Sequence, residues 1–296
     1  MRSCVIFNPT ARGEKARHFR RHLEEFGTQS ELKLTSAPGD ARRLSAEAVR
    51  EGFEIVVAAG GDGTLNEVLN GFGDAPDGFA RARLGVLPLG TVNVFARELA
   101  IPTGLESAWK IIRQGKEALI DLPRVEFKNA GATQRRYFAQ LAGAGLDARA
   151  IELVQWKLKK KIGPLAYVLA GLQALFAEPA KITATSGSNS CSGGLVLIGN
   201  GRLYGGNYHL FPGAKLNDGL LDVCVFPRVN FLTLARCALP LLLQGRVPAS
   251  VTRNFRTESL TLTSQGAAPL EADGELLGHL PATFSVERSR LKVIVP

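Results

Sequence analysis

The chain is poor in residues that carry redox, disulfide and imidazole chemistry. Its 296 residues include four cysteines, four histidines, two tryptophans and one methionine. Cys4, Cys191, Cys224 and Cys237 lie far apart, with no Cys-x-x-Cys pair and no neighbouring histidine series, so zinc-finger spacing is excluded. Cys4 and Cys224 fall in strand-like runs, where a thiol is a small core residue, and a reducing cytoplasm is the expected compartment. His18, His22, His209 and His279 show no catalytic spacing. No apolar run reaches the roughly 20 residues of a spanning helix. The longest, Ile162 to Ala177, is interrupted by Gly163, Pro164 and Gln173. The opening MRSCVIFNPTARG is too weakly apolar for a signal peptide. Acidic excess is missing too: 36 Lys and Arg face 27 Asp and Glu, a formal net charge of +9, which points to anionic partners. The basic residues are scattered except at Trp156-Lys157-Leu158-Lys159-Lys160-Lys161, without aromatic interleaving, so nucleic acid is not an expected partner.

One stretch stands out. Ile55 to Phe72 reads IVVAAGGDGTLNEVLNGF. Ile55 to Ala59 form an unbroken apolar run, as in a parallel strand buried on both faces. Beyond Gly60-Gly61-Asp62-Gly63-Thr64, the residues Leu65, Val68, Leu69 and Phe72 recur at helical spacing. A strand, a glycine turn and a helix N-terminus make an anion site, because glycine admits close approach and the first helical turn offers free N–H groups. Asp62 would repel a phosphate, and a metal ion between them resolves the conflict. The stretch reads as a nucleotide-phosphate loop with a carboxylate for Mg²⁺ or for a proton. A plain strand-to-helix turn capped by Asp62 is the alternative.

The order of elements supplies a frame for that loop. Cys4–Phe7 reads as a buried strand ending at Asn8-Pro9-Thr10-Ala11-Arg12-Gly13, and a helix follows with Ala16, Phe19, Leu23 and Phe26 on one face. Glu31–Thr35 is a second strand, followed by a helix from Pro38-Gly39-Asp40 through Val49. Leu84–Leu87 opens into Pro88-Leu89-Gly90-Thr91-Val92-Asn93 and another helix. This strand–helix rhythm argues for a parallel sheet covered on both faces, with ligands at the carboxyl ends of the strands. From Val125 onward strands predominate, at Tyr137–Leu141, Leu195–Ile198, Leu220–Phe226, Leu260–Thr263, Thr283–Val286 and Leu291–Val295, as in an antiparallel sandwich. Two helices interrupt them, Ile151–Phe176 and Phe231–Gln244. The expected fold is an α/β N-terminal domain, residues 1–122, and an antiparallel β-sandwich, residues 123–296, with the destination of the last strand open.

With these pieces in place the chain resembles the diacylglycerol kinase catalytic-domain family, in particular its soluble bacterial lipid kinases. The resemblance spans almost the whole length. It rests on Asn8-Pro9, Gly60-Gly61-Asp62-Gly63-Thr64-Leu65-Asn66-Glu67, Leu87-Pro88-Leu89-Gly90-Thr91-Val92-Asn93, Gly199-Asn200-Gly201 with Gly205-Gly206, Asn217-Asp218-Gly219-Leu220-Leu221-Asp222 and Asp273-Gly274-Glu275. It implies an N-terminal domain like those of phosphofructokinases and NAD kinases, a β-sandwich, and ATP in the cleft. Asn8, Thr35, Gly60 through Glu67, Gly90 and Thr91 would touch nucleotide. Asp273 and Glu275 would face the hydroxyl being phosphorylated, Glu275 as base with Asp273 assisting and Asp62 acting through Mg²⁺. A structural Mg²⁺ would take the Asp218 carboxylate, with Lys215 and Leu220 giving carbonyls. Val94 stands where many relatives carry an acid.

These implications fit phosphoryl transfer, which needs positioning and charge neutralisation more than covalent chemistry. No G-x-x-x-x-G-K-S/T sequence is present, so no P-loop lysine contributes. Taken alone, the Asp273-Gly274-Glu275 and Asp218-Gly219 turns also read as ordinary hairpin turns. The expectation is an ATP- and Mg²⁺-dependent lipid kinase, with diacylglycerol, a sphingoid base, ceramide or monoacylglycerol as acceptor. NAD kinase and a non-catalytic nucleotide- and membrane-binding module are the alternatives. The Trp156–Lys161 cluster and the Leu-rich Phe231–Leu243 segment suit peripheral docking on an anionic membrane, or equally packing in the core. Oligomeric state is left open, a homodimer included.

Overall fold

The computed structural model describes residues 2–9, 19, 30–153 and 180–296. In the N-terminal lobe, β1 (Ser3–Phe7), β2 (Glu31–Leu34), β3 (Ile55–Gly60) and β4 (Arg83–Pro88) lie parallel in the order β2-β1-β3-β4. All six residues of β3 are buried, as its unbroken Ile-Val-Val-Ala-Ala run demands of a central strand. Helix α1 (Asp40–Arg50) buries Ala41, Leu44, Ser45, Ala48 and Val49, one face of a 3.6-residue repeat. It packs on α2 (Asp62–Asp74), where the Ser45 hydroxyl donates to the Val68 carbonyl at 2.8 Å. Short α3 (Gly78–Arg81), α4 (Val94–Glu98) and α5 (Leu105–Gln114) complete the lobe. Phe19 is the described residue of the first expected helix, and its ring meets Phe7 edge-on at 4.8 Å. The other residues of that helix lie outside the description.

The second lobe begins within β5 (Lys116–Asn129), a 14-residue strand. It is followed by β6 (Ala132–Tyr137), β7 (Leu141–Gly145), α6 (Leu146–Leu153), β8 (Lys181–Ser186), β9 (Asn189–Gly193) and β10 (Leu195–Gly199). Next come β11 (Leu203–Tyr204), β12 (Tyr208–His209), β13 (Leu221–Phe226), α7 (Phe231–Gln244), β14 (Arg253–Thr257), β15 (Ser259–Gln265), β16 (Pro269–Ala272), β17 (Glu275–His279) and β18 (Ala282–Val295). One antiparallel sheet runs β14-β13-β10-β7-β16-β17. It faces β8, β15, β18 and β5 across a core that includes Phe127, Phe138, Val196, Val223, Leu262 and Phe284. This is the expected pairing of an α/β lobe with an antiparallel β layer.

The last strand joins the lobes. Val293 of β18 pairs in parallel with Leu84 of β4, while β18 runs antiparallel to β5 along nearly its whole length. Residues 122 and 123 sit in the middle of β5, so two long paired strands, rather than a linker, connect the lobes. Thr283–Val286 and Leu291–Val295, expected as two strands, are the ends of this one. The register shifts between Glu287 and Leu291, where the Ser289 N–H donates to the Asp121 carboxylate at 2.7 Å.

A second correction concerns Tyr137–Leu141, expected as a strand. Here β6 ends at Tyr137 and β7 starts at Leu141. The Phe138 N–H donates to the Pro123 carbonyl at 3.1 Å, and those of Ala139 and Gln140 are spent on a carboxylate, as described below. Helix α6 overlaps the helical segment expected at Ile151–Phe176 only at residues 151–153. The rest of that segment, with Trp156–Lys161, lies outside the described residues.

Candidate active site

The glycine loop is shaped by contact rather than by flexibility. A Cβ on Gly60 would collide with the Thr64 side chain, and one on Gly90 with the Gly61 backbone and Asn93 Oδ1. The β3 and β4 loops are therefore pressed together, with the Leu89 N–H donating to the Gly60 carbonyl at 2.9 Å. Asn93, at φ 53°, locks the second loop by accepting from the Gly90 N–H at 3.1 Å and donating to the Gly90 carbonyl at 2.7 Å. Asn8 Nδ2 reaches Thr64 Oγ1 at 3.4 Å, and Thr35 is buried with its N–H on the Phe7 carbonyl at 3.0 Å. Asn8, Thr35, Gly60, Gly61, Thr64 and Gly90 thus surround the carboxyl ends of β1 to β4, with Thr91 exposed at the rim.

Asp62 is the first residue of α2, but its carboxylate faces the start of α4, accepting from the Phe95 N–H at 3.5 Å. Burial raises its pKa, and the negative charge of Asp273 adds to the rise, against the N–H groups of Phe95, Val94 and Asn93. Asp62 thus senses Asp273, on the opposite lobe. Val94 brings only its backbone N–H to this side of the crevice.

Asp273 and Gly274 form the two-residue turn of the β16–β17 hairpin, both at positive φ, 47° and 84°. The Asp273 side chain is far from an idle turn residue. Its Oδ2 accepts from Asn66 Nδ2 at 2.8 Å and from the Ala139 N–H at 2.7 Å. Its Oδ1 accepts from the N–H groups of Gln140 and Leu141 at 3.0 and 3.1 Å. These backbone donors are the ones the interrupted strand has to spare. Burial raises the Asp273 pKa while the four donors hold the charged form. Asn66 also donates to the Tyr137 carbonyl and accepts from Asn70 Nδ2 at 3.0 Å, so α2 is pinned to the second lobe through two asparagines.

That pinning sets Glu275. Its Oε1 lies 3.7 Å from where a Gly63 Cβ would be, directly over the first turn of α2. The residue keeps exposed surface, yet its pKa is pushed up to about 7 by desolvation, then by Glu67 and Asp273, against the pull of Arg42. Glu67 itself spends both oxygens on the N-terminus of α1, accepting from the Gly39 and Ala41 N–H groups at 2.9 and 3.0 Å. Leu65 is buried in the core of the first lobe.

The expected metal position is arranged differently. Asp218 Oδ1 accepts from the Leu220 N–H at 3.2 Å, and Oδ2 is paired with the Arg256 guanidinium, whose Nε reaches Asp222 Oδ2 at 3.2 Å. Lys215 is exposed. A guanidinium already pairs with this carboxylate, so a divalent cation held by Asp218 and the Lys215 and Leu220 carbonyls would have to displace Arg256. Among the described residues no cluster of three or more His, Cys, Asp or Glu could hold a metal.

Two buried acids escaped sequence reading. Asp121 accepts from the Gly219 and Ser289 N–H groups at 2.6 and 2.7 Å, fastening the Asn217–Gly219 turn to the β18 bulge. Glu98 accepts from Gln140 Nε2, the Arg202 N–H and side chain, and the Leu203 N–H, tying α4 to the Gly199–Leu203 loop. Neither carries a local motif. Only their isolation in apolar surroundings marks them.

Residues 2–125 match the model of the diacylglycerol kinase catalytic domain, and residues 140–295 that of the YegS C-terminal NAD kinase beta sandwich-like domain. The chain belongs to the diacylglycerol kinase family. This kinase is 30% identical over 306 residues to the diacylglycerol kinase of Staphylococcus saprophyticus subsp. saprophyticus, covering 100% of this chain and 95% of that one. It is 31% identical over 315 residues to the diacylglycerol kinase of Staphylococcus aureus (strain MRSA252), covering 100% and 92%. The crystal structure of a diacylglycerol kinase from Bacillus anthracis str. Sterne superposes with a TM-score of 0.78 at 22% identity, over 100% of this chain and 97% of that one, a likeness of fold. The family and the names of the relatives make this chain an enzyme of the kinase class. No helix among its described residues is long and apolar enough to cross a membrane.

Proposed function

We propose that this kinase, with Mg²⁺, transfers the γ-phosphoryl group of ATP to the hydroxyl of diacylglycerol, the alcohol named for its relatives, across the crevice between Gly63 and Glu275. The observation that supports the reading is the Asn66–Asp273 hydrogen bond, which ties the first turns of α2 to the hairpin carrying Glu275, whose pKa is raised to about 7. Backbone N–H groups of Gly61 to Thr64 hold phosphate oxygens, with the Thr64 and Thr91 hydroxyls beside them. Glu275 accepts the proton of the acceptor hydroxyl as its oxygen attacks the γ-phosphorus and ADP leaves. Asp273 positions Glu275 through the hairpin. Asp62, whose carboxylate faces the start of α4, would hold the cation that accompanies ATP, and that cation would supply charge neutralisation.

The lipid is reached from a membrane surface. Phe231, Leu232, Leu239 and Leu243 of α7 are 74%, 57%, 63% and 73% exposed. Arg228, Arg236, Arg246 and Arg253 around them are exposed, and no Asp or Glu occurs from Val223 to Thr257. An apolar helix face in a basic, acid-free surround suits shallow insertion into an anionic bilayer. Labelled-ATP transfer to a panel of lipid alcohols, with NAD as a further acceptor, tests the whole reading. Diacylglycerol should be phosphorylated and NAD should not. Transfer to NAD alone would overturn it.

A further inference from the structure

On the strand beside that of Glu275 lies an acid that meets a second one from α6 and, among the described residues, has no cation paired with it. Glu271 of β16 is the cross-strand partner of Gly143 in β7 and is 1% exposed. Its Oε2 accepts from the Gly274 N–H at 2.8 Å, inside the hairpin turn, but its Oε1 is buried with no hydrogen-bond partner. Asp147, the second residue of α6, accepts from the Tyr204 hydroxyl through Oδ1 at 2.7 Å. The remaining oxygens converge. A Cβ on Gly143 would sit 3.0 Å from Glu271 Oε1 and 3.3 Å from Asp147 Oδ2, so both lie over the same bare α-carbon.

An isolated buried carboxylate is costly, and two facing each other more so. Among the described residues neither acid forms an ion pair. From β16 the other acid nearby is Asp273. From α6 the charged neighbours are Arg149 and Glu152, exposed and paired with each other at 3.0 Å. From β11 comes the Tyr204 hydroxyl, β7 presents no ionisable group, and Glu275 and His279 on β17 are exposed. One proton held between Glu271 Oε1 and Asp147 Oδ2 would give the orphaned Oε1 its partner.

We infer that Asp147 and Glu271 share a proton and act as a positioning pair, bracing the Gly274 N–H and hence the hairpin that aims Glu275, against helix α6. Burial raises both pKa values, and the mutual charge raises them further, which accords with a shared proton. The inference rests on the proposed role of Glu275, but its signature can be read without catalysis. A buried acid whose pKa is raised on folding stabilises the fold fully only below its unfolded pKa near 4. That stability is lost as pH climbs through the folded value.

The test compares Glu271→Gln, Glu271→Ala, Asp147→Asn and Glu275→Gln with wild type, by melting temperature from pH 5 to 10 and by kcat and KM. In wild type the melting temperature falls on the alkaline side as the shared proton leaves. Glu271→Gln and Asp147→Asn, which keep one donor between the two oxygens, flatten that fall, and Glu275→Gln removes only the separate fall toward pH 7 that Glu275 itself contributes. Glu271→Ala lowers kcat about 10- to 100-fold with KM for ATP unchanged, the cost of a mis-aimed base, and Glu271→Gln regains most of it. Alkaline melting limbs identical in wild type and Glu271→Gln would overturn the pair, whatever the kinetics. Flattened limbs with Glu271→Ala as active as wild type would retain the shared proton and overturn its positioning role. Loss of all lipid phosphorylation in wild type would instead count against the proposed function, leaving the melting result to stand.

Discussion

Asn66 Nδ2 and Asp273 Oδ2 are 2.8 Å apart although 207 residues separate them in the chain. Through this bond the helix that opens at Asp62 and the hairpin that carries Glu275 become parts of one site. A donor to a buried carboxylate contributes about 1.5–3 kcal/mol. Asn66→Ala should lose roughly that amount in urea unfolding. It should also lower kcat more than it raises KM for ATP, because the hairpin drifts while the phosphate loop stays. A melt and a kcat equal to wild type would show that the bond couples nothing.

The pH profile follows from Glu275. A general base works ionised, and its folded pKa is raised to about 7. Activity, read as kcat/KM for the lipid, should therefore climb from pH 6 to 8 and level off above. The same raised pKa means Glu275 favours folding most at low pH, so the gain in rate is not a gain in stability. Replacing Arg42, the cation nearby, by Gln should shift the rising limb to higher pH. A flat profile would remove Glu275 as the titrating base.

Docking should depend on charge and on the α7 face together. Flotation with anionic vesicles at low salt should recover the protein, and high salt should release it as the arginines are screened. Leu239→Asp with Leu243→Asp should abolish recovery without unfolding the chain, since both side chains are exposed. Equal flotation of wild type and the double variant would place the membrane contact elsewhere.

Arg256 makes a separate prediction. Because its guanidinium bridges Asp218 and Asp222, the nucleotide-free protein should melt at the same temperature with Mg²⁺ or with EDTA. Arg256→Gln should lower that temperature and make it respond to Mg²⁺. A wild-type melt that drops in EDTA would mean a divalent ion displaces Arg256.

Much of this was legible in the sequence because local rules dominate it. The β3 run, the α2 periodicity and the Asp-Gly turn each specify their element within a dozen residues. What resisted reading was set by distant partners. Tyr137–Leu141 has the composition of a strand, yet the N–H groups of Ala139, Gln140 and Leu141 serve Asp273, more than 130 residues away. Asp121 and Glu98 gain their partners only when distant segments close over them, Gly219 and Ser289 on Asp121, Gln140, Arg202 and Leu203 on Glu98. Arg256, one of many scattered basic residues, gains its meaning only from the β13–β14 register, which sets it opposite Asp222.

The most direct test is transfer of labelled γ-phosphate from ATP to diacylglycerol in anionic vesicles at pH 8, comparing wild type with Glu275→Gln and Asp62→Asn. The account predicts labelled phosphatidate from wild type and a loss of about 100-fold or more in Glu275→Gln, as for removal of a general base. Asp62→Asn should be comparably impaired. Full transfer by Glu275→Gln would contradict it.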